Sequence, residues 1–289
     1  MDKLLLLSAN SLDFKEKFPR AVALEMKHFP DGENYIRIPI NVSGKEIYFI
    51  HRCYPEQDES LIQLFLTLDS LKRQRAGKIN AIVPYFPYAR QDKILLQGEA
   101  LSSQTISKLT KDAGCDELIT FDCHFIKKEG EFEFDGFKIR NISLSNELIK
   151  YFSTKTKNPL IISPDEGAKY LVEKEKGSQV VKKIRGEYTD KSGELYRNVE
   201  SMKVDFEISG RDVIIVDDMI STGTTMLKAV KACKEGNAKK IYCGAVHGLF
   251  LANSLENLKK SGAEEVIASD TIKSPVSKIS IINKLQGFL

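Results

Sequence analysis

The stretch Val213-Ile214-Ile215-Val216-Asp217-Asp218-Met219-Ile220-Ser221-Thr222-Gly223-Thr224-Thr225 decides how the rest of the chain is read. Four apolar residues make a buried strand, two carboxylates follow it, and a hydroxyl-rich turn containing glycine then opens a helix. The helix shows in Met226, Val230 and Cys233, which recur at helical spacing across Thr225–Lys234 before Gly236 closes it. The same alternation extends in both directions. Apolar runs of strand length stand at Leu4–Leu7, Ile47–Ile50, Ile79–Val83, Leu118–Phe121, Leu160–Ile162, Val213–Val216, Ile241–Val246 and Val266–Ala268. Between the second and third of these, Ser60–Lys72 sets Leu61, Leu64, Phe65, Leu68 and Leu71 at helical spacing. Such a pattern predicts an α/β fold with mostly parallel sheets flanked by helices.

The 289 residues favour two domains at roughly 150 residues apiece. A cut at Asn141-Ile142-Ser143 leaves four predicted strands on each side, giving domains 1–142 and 143–289, with a hairpin-like stretch at Glu131–Ile139 just before the cut. Whether Lys278–Leu289 packs back on the first domain stays open. The 43 Lys and Arg against 40 Asp and Glu give a net charge of +3, too small and too evenly spread to make nucleic acid or an anionic membrane the expected partner. The longest apolar run near the start, Leu4–Leu7, falls far short of the roughly 20 residues that span a bilayer, so the protein is expected in the cytoplasm. Cysteines at 53, 115, 123, 233 and 243 form no CxxC pair, and their scatter reads as small buried apolar residues rather than a disulfide framework or a structural zinc site.

Polar residues cluster just past the predicted strands: His51, Tyr85, Asp122 with His124, Asp165, Asp217 with Asp218, His247 and Asp270. Ligands of open parallel sheets sit at the carboxyl ends of strands, so strand-to-helix loops are the expected sites. In the opening stretch, the backbone N–H groups of the Gly223-containing turn and the hydroxyls of Ser221, Thr222, Thr224 and Thr225 suit a phosphate at a helix N-terminus. Asp217 and Asp218 suit vicinal sugar hydroxyls. The bland reading, a capped helix with two solvated aspartates, is disfavoured because consecutive carboxylates after a buried strand are costly unless something binds them. Elsewhere the residues alone leave more open. Phe29-Pro30-Asp31-Gly32-Glu33 is a turn that could present a ring and carboxylates to a base, or no more than a turn. Tyr85–Lys93 offers Arg90, Gln91 and Lys93 for phosphate and ribose, or a solvated basic face. Asp165 in Ser163-Pro164-Asp165-Glu166-Gly167 could be a ligand or a helix cap. Lys182–Glu187 with the polar stretch Tyr188–Asn198 reads by itself as charged surface. No Walker loop or HExxH pattern occurs.

The stretch at 213–225 resembles the ribose-phosphate loop of type I phosphoribosyltransferases and of ribose-phosphate pyrophosphokinases, the enzymes that make phosphoribosyl pyrophosphate. Phe29–Glu33, Tyr85–Lys93, Phe121-Asp122-Cys123-His124 and Ser163–Gly167 look like pyrophosphokinase signatures in the right order, and the likeness runs over nearly the full length. It implies two tandem type I phosphoribosyltransferase-like domains. It also implies transfer of the β,γ-diphosphoryl group of MgATP to the 1-hydroxyl of ribose 5-phosphate. By the same resemblance, Phe29, Asp31, Glu33, Arg90 and Gln91 bind ATP, and Asp217, Asp218 and Ser221–Thr225 bind ribose 5-phosphate. His124 and Asp165 hold Mg²⁺, while Lys183 and Arg185 stabilise the transferring group from a mobile loop. A homodimer or higher homo-oligomer is implied, because the family's nucleotide pocket borrows residues from a neighbouring subunit. Bacterial members carry an acidic residue where Ser221 stands and a second glycine where Ala168 stands; archaeal-type members match better, and bacterial regulation by ADP and phosphate is not implied. Two other readings fit the shared loop: a phosphoribosyltransferase that consumes phosphoribosyl diphosphate, and a non-catalytic regulatory homologue.

Overall fold

Each of the eight apolar runs forms a strand in the computed structural model, which describes residues 1–185 and 199–288, with the backbone alone at 183–185 and 199–201. Two units divide the chain, residues 1–142 with 280–289 and residues 143–279.

The first unit contains β1 (Lys3–Leu7), β2 (Val22–Ala23), β3 (Glu25–His28), β4 (Asn34–Arg37), β5 (Glu46–Ile50), β6 (Lys78–Ile82), β7 (Glu117–Phe121), β8 (Gly130–Phe134) and β9 (Phe137–Ile142). Among the described residues its sheet runs β2-β1-β5-β6-β7-β9-β8. All neighbours are parallel except the edge pair β8 and β9, which is the hairpin read from the sequence. β3 and β4 form a separate antiparallel ribbon. Helix α1 (Gln57–Arg73) buries Leu61, Leu64, Leu68 and Leu71 on the face their spacing predicts, with Asp58 and Glu59 in its first turn and Lys72 and Arg73 in its last to complement the helix dipole. Helix α2 (Ser102–Asp112) leads into β7. The core joins α1 to the sheet through Phe49, Ala81, Leu118 and Ile139, all fully buried. Each large side chain removed from water there contributes about 1.5–3 kcal/mol.

The second unit contains α3 (Ser145–Ser153), β10 (Leu160–Ser163), β11 (Gln179–Val180), β12 (Lys182–Arg185), β13 (Val199–Lys203), β14 (Asp212–Ile220), α4 (Thr224–Glu235), β15 (Lys240–Gly248), α5 (Ser254–Lys260), β16 (Ala263–Ser269) and β17 (Ser277–Ile279). The described strands form an all-parallel sheet in the order β11-β10-β14-β15-β16-β17. β12 and β13 make an antiparallel ribbon. The sequence ends the central strand at Val216, whereas β14 runs on to Ile220. Its ladder with β15 continues through Asp217 opposite Ala245 and Met219 opposite His247, so the twin aspartates lie inside the strand's last turn of pleat rather than beyond it.

Residues 280–289 group with the first unit, where helix α6 (Ile282–Leu285) buries Ile281 and Leu285. Lys3 Nζ donates to the Phe288 carbonyl at 2.6 Å, and the Arg140 guanidinium lies 5.2 Å from the centre of the Phe288 ring. At this amino-terminal edge of the sheet Glu117, its side chain 3% exposed, accepts from Arg140 Nε at 2.7 Å and Lys78 Nζ at 3.2 Å. Among the described residues no helix is long and apolar enough to cross a membrane. All five cysteines are free and buried, and burial pushes the thiols of Cys53, Cys115, Cys233 and Cys243 upward.

Burial alone would raise the Glu117 pKa, but Arg140 and then Lys78 and Lys138 outweigh it and hold the carboxyl below its ordinary value. A lowered carboxylate pKa gives stability that is present above the unfolded value and lost as pH falls through the folded one. Glu117→Gln should therefore lose about 3 kcal/mol at neutral pH, the low end expected for breaking a buried ion pair. The gap from wild type should narrow as pH falls below about 4. Urea unfolding across pH 3–7 measures it; a gap that does not change with pH would refute the ion-cluster account.

Candidate active site

The end of β14 is polar where the core is tightest. Val213, Ile214, Ile215 and Val216 are fully buried, and they draw Asp217 and Asp218, 9% and 5% exposed, into the same interior. The Asp218 N–H donates to Asp217 Oδ1 at 2.9 Å. Burial, then the charge of Asp218, then that of Asp165, raise the Asp217 pKa well above the carboxylate range. Asp217 is thus within electrostatic reach of two other acids at the carboxyl end of β10 and β14.

The turn that follows is exposed and hydroxyl-lined. The Thr222 and Thr224 hydroxyls stand 3.2 Å apart, and Gly223 takes a left-handed conformation, φ +75°, as the N-cap of α4. A glycine in that place leaves the helix start without a side-chain cap, and the uncapped end of a helix attracts anions. Leu227 N–H donates to the Gly223 carbonyl at 2.8 Å, which starts the helical ladder.

Asp165 realises one of its two sequence readings outright. Its Oδ1 accepts from the Gly167 N–H at 2.8 Å, capping the 3-10 helix Glu166–Leu171, while Ser163 Oγ donates to its carbonyl at 3.0 Å. Parallel pairing of Ile162 with Ile215 carries it alongside the aspartates of β14, so the same residue caps a helix and raises Asp217.

In the first unit, Phe29-Pro30-Asp31-Gly32-Glu33 turns the β3–β4 ribbon. Phe29 N–H donates to the Glu33 carbonyl at 2.8 Å, Glu33 N–H to Asp31 Oδ1 at 3.1 Å, and Gly32 sits at φ +91°. The Phe29 ring is 46% exposed and meets Tyr35 edge-on, leaving a face available for stacking. Arg90 is exposed; Gln91 is half-buried, its Oε1 accepting from Ser102 Oγ at 2.7 Å at the start of α2. His124 is half-buried just past β7, beyond Asp122, which is fully buried at φ +33°. Asn141 ties this segment down, accepting from the Cys123 N–H and donating to the Lys128 carbonyl, both at 2.9 Å.

Two of the polar residues flagged past the strands are structural. His51 is fully buried, stacks on Phe49 and donates from Nε2 to the Ser60 carbonyl at 2.7 Å, and burial lowers its pKa to about 4. His247 lies within β15, buried, with Nδ1 2.9 Å from Thr271 Oγ1. The backbones of Lys183 and Arg185 belong to β12, paired with Met202 and Val199 and with a register shift between Ile184 and Arg185. Gly186 to Asn198, including the polar stretch from Tyr188, lie outside the described residues. Sequence reasoning missed the segment after β15, whose N–H groups at Leu249 and Phe250 donate to the Ile220 carbonyl and at Leu251 to the Ser221 carbonyl, all at 3.0 Å. Its composition carries no signal for that role.

Residues 17–114 match the family model described as the N-terminal domain of ribose phosphate pyrophosphokinase, and residues 188–286 match the phosphoribosyl synthetase-associated domain. A ribose-phosphate pyrophosphokinase of Sulfurisphaera tokodaii is 38% identical over 90% of this chain and 88% of its own length. One from Pyrococcus furiosus is 34% identical over 96% and 95%. The crystal structure of phosphoribosylpyrophosphate synthetase from Mycobacterium smegmatis superposes with a TM-score of 0.82 at 25% identity, covering all of this chain and 97% of that one. Both units therefore have the phosphoribosyltransferase-like α/β fold that the resemblance implies. With archaeal relatives aligned along almost the whole of both chains, and the acidic strand end and hydroxyl loop standing where the sequence motif puts them, the chain belongs to the ribose-phosphate pyrophosphokinase family.

Proposed function

We propose that the protein is a ribose-phosphate diphosphokinase that converts ATP and ribose 5-phosphate to AMP and 5-phospho-α-D-ribose 1-diphosphate. The observation that carries the reading is the pair of buried carboxylates at the end of β14, with the Asp217 pKa raised by burial and then by its acidic neighbours, opening onto an uncapped helix start. Vicinal sugar hydroxyls donate to Asp217 and Asp218 and relieve their mutual repulsion. The 5-phosphate lies on Ser221, Thr222, Gly223, Thr224 and Thr225 at the positive end of α4. Phe29 stacks on adenine while Asp31 and Glu33 accept from its amine, and Arg90 and Gln91 hold the nucleotide. The ribose 1-oxygen then bonds to the β-phosphorus as the bond from that phosphorus to the oxygen bridging the α-phosphorus breaks. AMP departs with that oxygen and the hydroxyl proton passes to solvent. Lys183 and Arg185 neutralise the charge that develops on the migrating group.

A divalent cation fits the acidic end of the sheet by the chemistry of its donors. Carboxylate oxygens suit Mg²⁺, and a positive charge there would offset both the burial and the like charges that raise Asp217. Mg²⁺ keeps several waters and substrate oxygens in its shell, so it does not require a full set of protein ligands. Asp165 would hold it, with His124 of the first unit assigned the same role by the family likeness. When bound, it would supply charge neutralisation on the transferring phosphates. Five buried free cysteines support a reducing cytoplasmic setting, and the family supports a homodimer or higher homo-oligomer.

AMP release from ATP should require ribose 5-phosphate, and a coupled AMP assay with and without the sugar tests this; no sugar-dependent AMP would overturn the function. Lys183→Ala and Arg185→Ala should each lower turnover by about 10² to 10³ with the fold intact. Wild-type turnover in both would remove the mechanism assigned to them.

Asp217→Asn tests the electrostatics separately. A raised carboxylate pKa costs stability that grows as pH rises from the unfolded value, near 4, toward the folded one. The ligand-free variant should thus be more stable than wild type at pH 7, equal to it below about pH 3.5, and weaker in ribose 5-phosphate binding. Thermal unfolding and calorimetry measure these; a variant destabilised at pH 7 would contradict the account.

A further inference from the structure

The turn from Ser221 to Gly223 does not hold its own shape. Beyond Gly248, where the β14–β15 ladder ends opposite Ile220, the chain curls back over that turn. Leu249 and Phe250 N–H groups donate to the Ile220 carbonyl, and the Leu251 N–H and Ser254 Oγ donate to the Ser221 carbonyl, the last at 3.2 Å. Four donors thus converge on two successive carbonyls. The curl requires left-handed backbone at three non-glycine residues, Phe250 (φ +49°), Ala252 (φ +51°) and Asn253 (φ +56°). Side chains with a Cβ disfavour that conformation, and it persists only where surrounding contacts fix it.

Ser254 is the point of closest support. It is fully buried, and a Cβ built on Gly223 would lie 2.8 Å from the Ser254 Cβ, so the serine packs directly beneath the glycine that opens α4. Its own N–H donates to the Leu251 carbonyl at 3.0 Å, which locks it to the curl. Holding the carbonyls of Ile220 and Ser221 on this side fixes the peptide planes that lead into Ser221–Gly223.

We propose that Ser254 is a positioning residue for the sugar-phosphate loop, and that residues 249–253 form the brace through which it acts. The inference rests on the reading of Ser221–Thr225 as the 5-phosphate site. Ser254 touches no reacting atom; it preorganises the turn so that ligand binding does not have to order it.

The test is Ser254→Ala in the full chain, which removes the donor and keeps the Cβ contact. Calorimetry with ribose 5-phosphate and the AMP assay are run on both proteins. The dissociation constant and KM for ribose 5-phosphate should rise about three- to tenfold, the effect of one lost hydrogen bond, with KM for ATP and turnover at saturating sugar essentially unchanged. Unchanged ribose 5-phosphate constants, or a KM for ATP that rises in step, would overturn the role. If circular dichroism shows Ser254→Ala unfolded, Ser254→Cys, nearer in volume and a weak donor, carries the same expectation. Wild-type protein that binds ribose 5-phosphate but releases no AMP would remove the functional reading, while the ratio of dissociation constants still decides the role of Ser254.

Discussion

Asp217 and Asp218 are interior because the strand that carries them is apolar up to their own position and remains paired through Ile220. A carboxylate that cannot leave the sheet must be neutralised by a proton, a hydroxyl donor or a cation. The nearby charges of Asp218 and Asp165 add repulsion to the cost of burial, so they favour the proton until a hydroxyl donor or a cation takes its place. The carboxyl end of the second sheet is therefore held in an energetically unfavourable state by the same packing that stabilises its middle. Ligand chemistry at this point is a consequence of where the hydrophobic run stops.

The two ends of a parallel sheet carry different duties here. At the amino-terminal edge of the first sheet, Glu117 is surrounded by Arg140, Lys78 and Lys138, and the charges are matched. At the carboxyl edge of the second, like charges gather instead: burial and then the charges of Asp218 and Asp165 raise Asp217, and the turn beyond carries the Thr222 and Thr224 hydroxyls. A cluster of matched charges rigidifies, whereas a cluster of like charges favours a ligand that offsets them.

Much of this was readable in residue order, and the reasons differ from element to element. The β-branched run Val213–Val216 leaves little alternative to a buried strand, and the leucines of Ser60–Lys72 leave little alternative to a helix. The hydroxyl turn was legible because Gly223 and four hydroxyl residues follow closely on two carboxylates and a buried strand. The exact reach of β14 was not, since Asp217 and Asp218 look like loop residues and only the ladder to β15 keeps them in the strand. Asp165 was ambiguous between cap and ligand because both uses call for the same short carboxylate. The segment after Gly248 was invisible, as Phe250, Ala252 and Asn253 give no hint of left-handed backbone that is imposed by contacts from far away in sequence. His247 misled, for a histidine inside a strand and one just past it differ by a single residue of strand length.

Helix α6 belongs to the unit that the chain begins, although residues 143–279 are threaded between them. Emerging from the ribosome, the first sheet must wait for the entire intervening unit before Phe288 can meet Lys3 and Arg140. Vectorial synthesis thus makes the seam between the two ends the last feature of that unit to close, and a nascent chain halted midway would present an unfinished surface to chaperones rather than a completed half.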